Sequence, residues 1–416
     1  MIGGLLSLIM FCGLAVFAAW QILPVVRRIR RPESSSKCNG RGPCVQVVLS
    51  LKGLDPFLER CLERLASQDY SNYRVTVVVD SVDDPAWSQA WAARREFGDL
   101  IDVRARAHDL TTCTRKLCNL LTAFDALPSE VEIVALCDGD AVVHESWLSE
   151  LVAGLADPQV AAVGANRWYS PPRPGMATLS RHYWNAIAVP NTHQYAILWA
   201  GSLAIRRSII DEASFREAFA RGFADDTLIA RYLHETGRIS RLLEGTYVVN
   251  SETTSIAGYW NFLVRQMLCV RIHHPRWTPI LIHAVLVAVA MLAVGTVGAL
   301  GSRGDAALAA SGLALYAAVL LGLLQAYDTT LRRTFPDRAA LHVPIELPRM
   351  LMMVPALALT SVIYPAATIA AACARRHLWR GVEYHLKSGR VVRAVDRATG
   401  TVPVRPVAKP AQEKAA

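Results

Sequence analysis

Cys and His spacings that would build a zinc or iron–sulfur site are missing from this sequence, and its nine cysteines are an odd number. Most of them fall inside apolar or periodic stretches; only Cys38 and Cys44 lie close together in a loop-like segment. That argues against a metal module or a disulfide scaffold, and the thiols read as reduced and cytoplasmic. Charge is also sparse, at 19% of residues, and it is nearly absent from four runs at 2–26, 279–300, 306–326 and 350–374. Each approaches or exceeds the ~20 residues needed to cross a bilayer as a helix. The first run lacks the basic start of a secretory signal, while Arg27, Arg28, Arg30 and Arg31 follow it. This is the pattern of a retained anchor with a cytoplasmic carboxyl flank. The net charge of +9 does not call for nucleic acid, because the basic residues gather after the first run and at Arg375, Arg376, Arg380, Lys387, Arg390 and Arg393. Such clusters belong beside anionic headgroups. A membrane protein is expected.

What the sequence does contain is organised around C-D-G-D at 137–140. An apolar run (Val131, Ile133, Val134, Leu136) predicts a strand that ends on Asp138 and Asp140. Ligands of an open α/β sheet sit at the carboxyl ends of its strands. Two hard oxygen donors there suit Mg²⁺ or Mn²⁺ shared with a substrate phosphate. Asp and Gly also favour plain turns, so this stretch alone leaves the turn reading open. Upstream, 45–51 and 74–79 predict strands flanking a helix at 55–67, and the second ends on Asp80, a ligand contact or a cap. A helix over 115–126 carries Arg115, Lys116 and Asn119 near its start, where cations can meet a pyrophosphate; Lys116 can equally be solvated.

Further on, W-A-G-S at 199–202 combines a possible stacking face, Trp199, with a close-approach glycine, Gly201. Asp225 and Asp226 open an amphipathic helix, where capping is the plain alternative. The stretch 259–277 mixes aromatics with Arg and His just before an apolar run, as an interfacial helix does. Anchoring accounts for every residue in it except Gln266.

Taken in order, V-V-V-D-S-V-D-D-P, R-K-L-C-N-L, C-D-G-D, W-A-G-S-L-A-I-R-R, A-D-D-T-L-I-A-R-Y-L and R-Q-M-L-C-V-R-I-H-H-P-R-W resemble an inverting family-2-type glycosyltransferase of the membrane-bound ceramide-glucosyltransferase-like branch. The resemblance implies a GT-A type α/β domain that binds a nucleotide-sugar donor, and a UDP-linked donor is expected. It implies that Asp80, Lys116 and Asp138 contact the nucleotide, that Asp138 and Asp140 hold Mg²⁺ or Mn²⁺, and that Asp226, or else Asp225, is the general base. Trp199 and Gly201 fall on the acceptor side. The late motif departs from the family's Q-or-R, two residues, R-W: counted from Arg265, Leu268 and Cys269 stand where Arg and Trp are expected, and a literal R-W occurs later, at Arg276-Trp277. Arg265, Gln266 and Arg271 are expected to take over the phosphate and acceptor contacts.

The expected organisation is an anchor at 1–26, a basic linker at 27–44, a GT-A domain at 45–257 and an interfacial helix at 258–277. Transmembrane or re-entrant segments at 278–374 and a basic tail at 375–416 follow. The expected activity is sugar transfer to a ceramide- or hopanoid-like lipid hydroxyl at the cytoplasmic face of a bacterial-type inner membrane, with no nucleic-acid partner. A processive polysaccharide synthase and a non-catalytic membrane scaffold are the alternatives. The oligomeric state is left open. Four full spans would put the Arg-rich tail outside, against the positive-inside tendency, so 350–374 is expected to be re-entrant or interfacial.

Overall fold

The computed structural model describes residues 2–30, 42–173, 175–195, 197–339, 343–387, 390–396 and 400–401. Most of the expected linker, with Arg31 and Cys38, and the end of the tail lie outside them. Helix α1 (Ile2–Ile29) carries the first apolar run and continues through Arg27 and Arg28. The chain then alternates β1 (Cys44–Leu51), α2 (Leu58–Ala66), β2 (Tyr73–Val79), α3 (Ala86–Phe97), β3 (Ile101–Ala105), α4 (Arg115–Asp125) and β4 (Val131–Cys137). Next come α5 (Trp147–Gly154), β5 (Val160–Gly164), β6 (Arg167–Tyr169), α6 (Met176–Tyr195), β7 (Ser202–Arg206), α7 (Arg207–Ile210) and α8 (Ala213–Phe219). Helix α9 (Asp225–Glu235), β8 (Ile239–Leu242) and β9 (Val248–Asn250) complete the α/β unit.

The main sheet has the order β3-β2-β1-β4-β7-β5-β8, and β7 runs antiparallel to both of its neighbours. Strands β2 and β4 are valine- and isoleucine-rich because helices cover both faces. Along β1, Val45, Val47, Leu49 and Leu51 enter the core beneath α2, α3 and α5, while Val48 points to the core shared with α4, α8 and α9. Since β1 lies between β2 and β4, the chain leaves it in opposite directions on either side, and a crevice opens at the carboxyl ends of β1 and β4. The α/β architecture and the position of its crevice agree with the domain that the sequence leads one to expect.

Beyond it lie α10 (Ile256–His273), α11 (Trp277–Leu300), α12 (Arg303–Thr334), α13 (Pro336–Ala339) and α14 (Leu347–Cys373). Four helices, α1, α11, α12 and α14, are long and apolar enough to cross a membrane. Helices α1 and α12 pack closely and run parallel. Gly4 N donates to Asp305 Oδ1 at 2.9 Å, Gly312 lies against Leu8, and the Phe11 and Tyr316 rings are 5.6 Å apart. Small residues at such a seam let backbones approach where lipid supplies no hydrophobic drive. Val297, near the end of α11, lies beside Gly3, so the starts of α1 and α12 and the end of α11 share one end of the bundle. At the other end, Arg28 pairs with Glu244 of the α/β unit at 3.0 Å.

Helix α14 is arranged differently. Arg349 near its start donates to Pro171 O at 2.6 Å, its middle meets α6 and α10 through Ser180–Ala356 (3.1 Å) and Tyr259–Thr360 (3.4 Å), and its end accepts from Arg271. It is one unbroken helix despite Pro355 and Pro365, so the stretch is not a re-entrant loop. The tail also differs from expectation. Its described part folds into antiparallel strands β10 (Arg376–Trp379), β11 (Val382–Lys387) and β12 (Arg390–Asp396). Val382 and Tyr384 alternate inward and, with Val391 and Ala394, join a core shared with Phe223, Met267 and Leu268, so a short apolar pattern outweighs the basic composition. All eight described cysteines are free thiols.

Candidate active site

Asp138 and Asp140 follow β4 into the crevice, and the first turn of α4 faces them. Lys116 Nζ lies 2.7 Å from Asp138 Oδ1 and 2.8 Å from Asp225 Oδ2, so one ammonium joins the end of β4 to the start of α9. Burial alone would lower the Lys116 pKa, but the two carboxylates outweigh it and hold the group above its ordinary range. Burial likewise works against ionised Asp138, and Lys116 overrides it, so the Asp138 pKa is lowered. Asp140 is in the opposite position. Burial and then the Asp138 charge push it up to about 6, and among the described residues it makes no ion pair. Asp226 is also raised to about 6, by burial and then by Asp225; Thr227 N donates to its Oδ1 at 2.6 Å. Asp225 is 3% exposed and walls only this crevice, whereas Asp226 faces both the crevice and a second, apolar cavity.

The other expected residues separate into two groups. Arg265, Gln266 and Trp199 line the crevice. Asp80 is bonded to Lys52 at 2.6 Å and to Arg106 at 2.9 Å, and it is Lys52 that faces the crevice. Gly201 carries no ligand surface of its own; a Cβ there would fall within the Trp199 ring, so its role is to seat that indole. Arg271 is turned away from the site: it donates to Ala371 O (2.6 Å) and Ala374 O (2.7 Å), capping the last turn of α14, where a cation satisfies orphan carbonyls. The phosphate contact expected of it does not fit this placement. Asn119 pins α4 to the sheet by donating to Leu51 O at 3.1 Å.

Two residues that the sequence reading gave no site role stand out. Arg167 opens β6, stacks 5.1 Å from the Trp199 ring and places its charge near Asp140, Asp138 and Asp226. In the sequence only its place just after the apolar run at 160–165 marks it. Buried His273 accepts from Phe223 N at 2.9 Å and Ala224 N at 3.4 Å, fixing the backbone that leads to Asp225. Burial pushes its pKa down to about 3, which keeps Nε2 an acceptor.

Among the described residues no group of three or more His, Cys, Asp or Glu side chains is placed to hold a metal. Asp138 and Asp140 nevertheless fit a hard divalent cation that takes its remaining ligands from phosphate and water, as Mg²⁺ commonly does. The uncompensated burial of Asp140 is the feature that such a cation would relieve.

The model of glycosyl transferase family 21 matches residues 6–392. The chain belongs to that family. This agrees with the resemblance read from its motifs, and the protein is a glycosyltransferase that uses a nucleotide-sugar donor. Its fold is similar to that of the mannosyltransferase PcManGT from Pyrobaculum calidifontis, solved in complex with GDP-Man and Mn²⁺. The two are 20% identical, the match covers 85% of this chain and 98% of that one, and the TM-score is 0.53. A match to S. aureus TarS 1–349 in complex with UDP has 14% identity, covers 82% and 96% of the two chains, and has a TM-score of 0.35. One to glucosyl-3-phosphoglycerate synthase from Mycobacterium tuberculosis has 15% identity, covers 55% and 80%, and also scores 0.35.

If Asp140 is a cation ligand of this family 21 chain, Asp140→Asn weakens Mn²⁺-dependent binding of a nucleoside diphosphate by about tenfold or more while metal-free binding stays as in wild type, since one carboxylate of two is lost. Calorimetric titration with and without Mn²⁺ measures this; equal curves in both arms return Asp140 to the status of a turn residue.

Proposed function

We propose that this glycosyltransferase moves a sugar from a UDP-linked donor to the hydroxyl of a ceramide- or hopanoid-like lipid, with inversion at the anomeric carbon. The observation that carries the reading is an apolar cavity of ≈ 770 Å³ between α1, α6, α10, α11 and α14 that meets the donor crevice. Arg167, Trp199, Asp226, Gln266 and Cys269 belong to the walls of both. Phe17, Ile280 and Leu286 are among the apolar residues that would surround the body of the acceptor. Its hydroxyl would then reach Asp226 from the side away from the nucleotide.

In this scheme the acceptor oxygen forms a bond to the anomeric carbon as the bond to the diphosphate oxygen breaks, and the hydroxyl proton passes to Asp226. Asp225, paired with Lys116, is the less available base. Arg265 and Arg167 face the charge that builds on the departing diphosphate, where preorganised cations act most strongly. A divalent cation at Asp138 and Asp140 would offset the same charge.

The reading extends to the membrane. Crossings by α1, α11 and α12, with α14 lying along the membrane face of the catalytic domain, put that domain and the C-terminal strands on one side. The arginines after α1 assign that side to the cytoplasm. Three crossings remove the conflict that four would create for the basic tail.

Lipid transfer is tested by giving purified protein labelled UDP-sugars with ceramide or hopanoid-type lipids. A glycolipid product is expected; a long polymer would favour the synthase, and no turnover of any donor would favour the scaffold. Ala188→Phe, which adds a ring to the cavity wall, should cut lipid transfer by about tenfold or more while lipid-independent donor hydrolysis persists, because overpacking a site that must hold the acceptor costs about 1–3 kcal/mol.

For the base, Asp226→Asn should lower the transfer rate roughly 10²-fold or more with donor affinity retained, and Asp225→Asn should act mainly on stability. Wild-type activity should be flat above pH 7 and fall as pH drops through about 6, because the base must be ionised and its pKa is raised to that value. Full rate in Asp226→Asn together with loss in Asp225→Asn would exchange the two roles.

For topology, Lys387→Cys should be shielded from a membrane-impermeant maleimide in intact cells and Arg303→Cys labelled. Labelling of Lys387→Cys from outside would overturn the three-crossing arrangement.

A further inference from the structure

The C-terminal strands do more than rest beside the membrane: Trp379, Arg380 and Tyr384 face the same crevice as Lys116, Asp138 and Asp225. Tyr384 anchors the hairpin by burial. Tyr384 is 1% exposed, and its ring lies edge-on to Phe223 at 6.0 Å, just before Asp225 in the chain. The Tyr384 hydroxyl accepts from Arg115 N at 3.2 Å, satisfying a first-turn N–H of α4 for which Thr114 supplies no side-chain cap. Trp379 lies beneath Arg265, 5.0 Å from guanidinium carbon to ring centre. The β10–β11 hairpin therefore braces α4, the approach to α9 and α10 together.

The hairpin turn is unusual in its chemistry. Arg380 has φ 45° and Gly381 φ 79°, and Trp379 pairs with Val382 across them. A two-residue turn with both φ values positive favours Asn-Gly, since asparagine tolerates the left-handed region and glycine is unhindered there. Among the described residues Arg380 is the one non-glycine with positive φ. Local strain of this kind persists where the surrounding structure or a function requires the side chain. The Arg380 guanidinium donates to Lys52 O and lies 3.4 Å from the Asp55 carboxylate, and both of those residues line the crevice. The nearby cations are more firmly committed: Lys116 to Asp138 and Asp225, Arg115 to Asp109 at 2.6 Å, Lys52 to Asp80. Arg380 is 43% exposed along its side chain, and its pairing with Asp55 is long. A phosphate oxygen offers a guanidinium a shorter, bidentate alternative.

We propose that the β10–β11 hairpin is a working part of the donor site and that Arg380 binds the diphosphate of the nucleotide, alongside Arg265 held by Trp379. The assignment rests on the nucleotide-sugar reading above. As the donor enters, Arg380 leaves Asp55 for a phosphate oxygen and the hairpin tip closes against the loop at 52–55.

The test is calorimetric titration of full-length protein in nanodiscs, with Mn²⁺ present, using UDP, GDP and UMP. Asparagine suits the left-handed turn, so Arg380→Asn removes the charge while keeping the hairpin, which an unchanged or raised thermal midpoint verifies. The expected result is a tenfold or greater rise in Kd for the diphosphate, a smaller rise for UMP, and partial recovery in Arg380→Lys. Wild-type diphosphate affinity in Arg380→Asn overturns the proposal and leaves the transferase reading standing. Failure of the wild-type protein to bind either diphosphate overturns both.

Discussion

The site is built on the placement of one ammonium group. Lys116 lies within 2.8 Å of both Asp138 and Asp225, and these belong to two acid pairs brought together from distant parts of the chain. Without it, four carboxylates would crowd one crevice. Breaking a buried pair by removing one partner typically costs about 3–5 kcal/mol, because the other charge stays uncompensated. Lys116 takes one member of each pair, and the remaining two, Asp140 and Asp226, are each left with a pKa raised to about 6. The division of labour follows from electrostatics: two acids hold the architecture, and two keep charge that is available for a cation or a proton.

A second constraint is that this polar crevice has to meet an apolar cavity. The boundary is narrow and consists of Arg167, Trp199, Asp226, Gln266 and Cys269. Arg167 can occupy it because its guanidinium stacks on Trp199, Tyr169 and Phe262, each at 5.1–5.2 Å, while its charge faces acids. Aromatic faces accept a desolvated cation better than aliphatic ones do. Gly201 lets the indole sit where that stacking requires it. Acidic and apolar walls thus adjoin across a cation that touches both.

Much of this was legible in the sequence where local chemistry decides structure. Valine-rich runs ending on acids marked the strand ends of the crevice, and D-D ahead of an amphipathic run marked the start of α9. Long uncharged runs marked the apolar helices. What stayed hidden depends on contacts between distant segments. Asp80 ends a strand as a ligand-binding acid would, yet Lys52 and Arg106 claim it, and neither partner is implied by its neighbours in sequence. Basic composition around 375–396 concealed a short period-2 pattern, Val382 and Tyr384, that needs Phe223 and α10 to complete its core. Arg271 and Arg265 look alike on one helix; only the position of the end of α14 separates a cap from a crevice residue.

Helix α10 shows how a motif can depart from its family's pattern without losing its place. Phe262, Gln266, Cys269 and His273 recur at helical spacing, and this face runs from the ring beneath Arg167, past both cavities, to the imidazole that holds the backbone before Asp225. Met267 and Leu268 lie on another face and enter the core of the C-terminal strands. In the late motif counted from Arg265, Leu268 therefore stands where Arg is expected because that position is buried against the hairpin. An aromatic surface for Arg265 comes instead from Trp379, on the segment that Leu268 helps to fix. The substitution and the extra strands are two sides of one arrangement: an apolar residue in the helix seats a hairpin, and the hairpin returns an indole to the crevice.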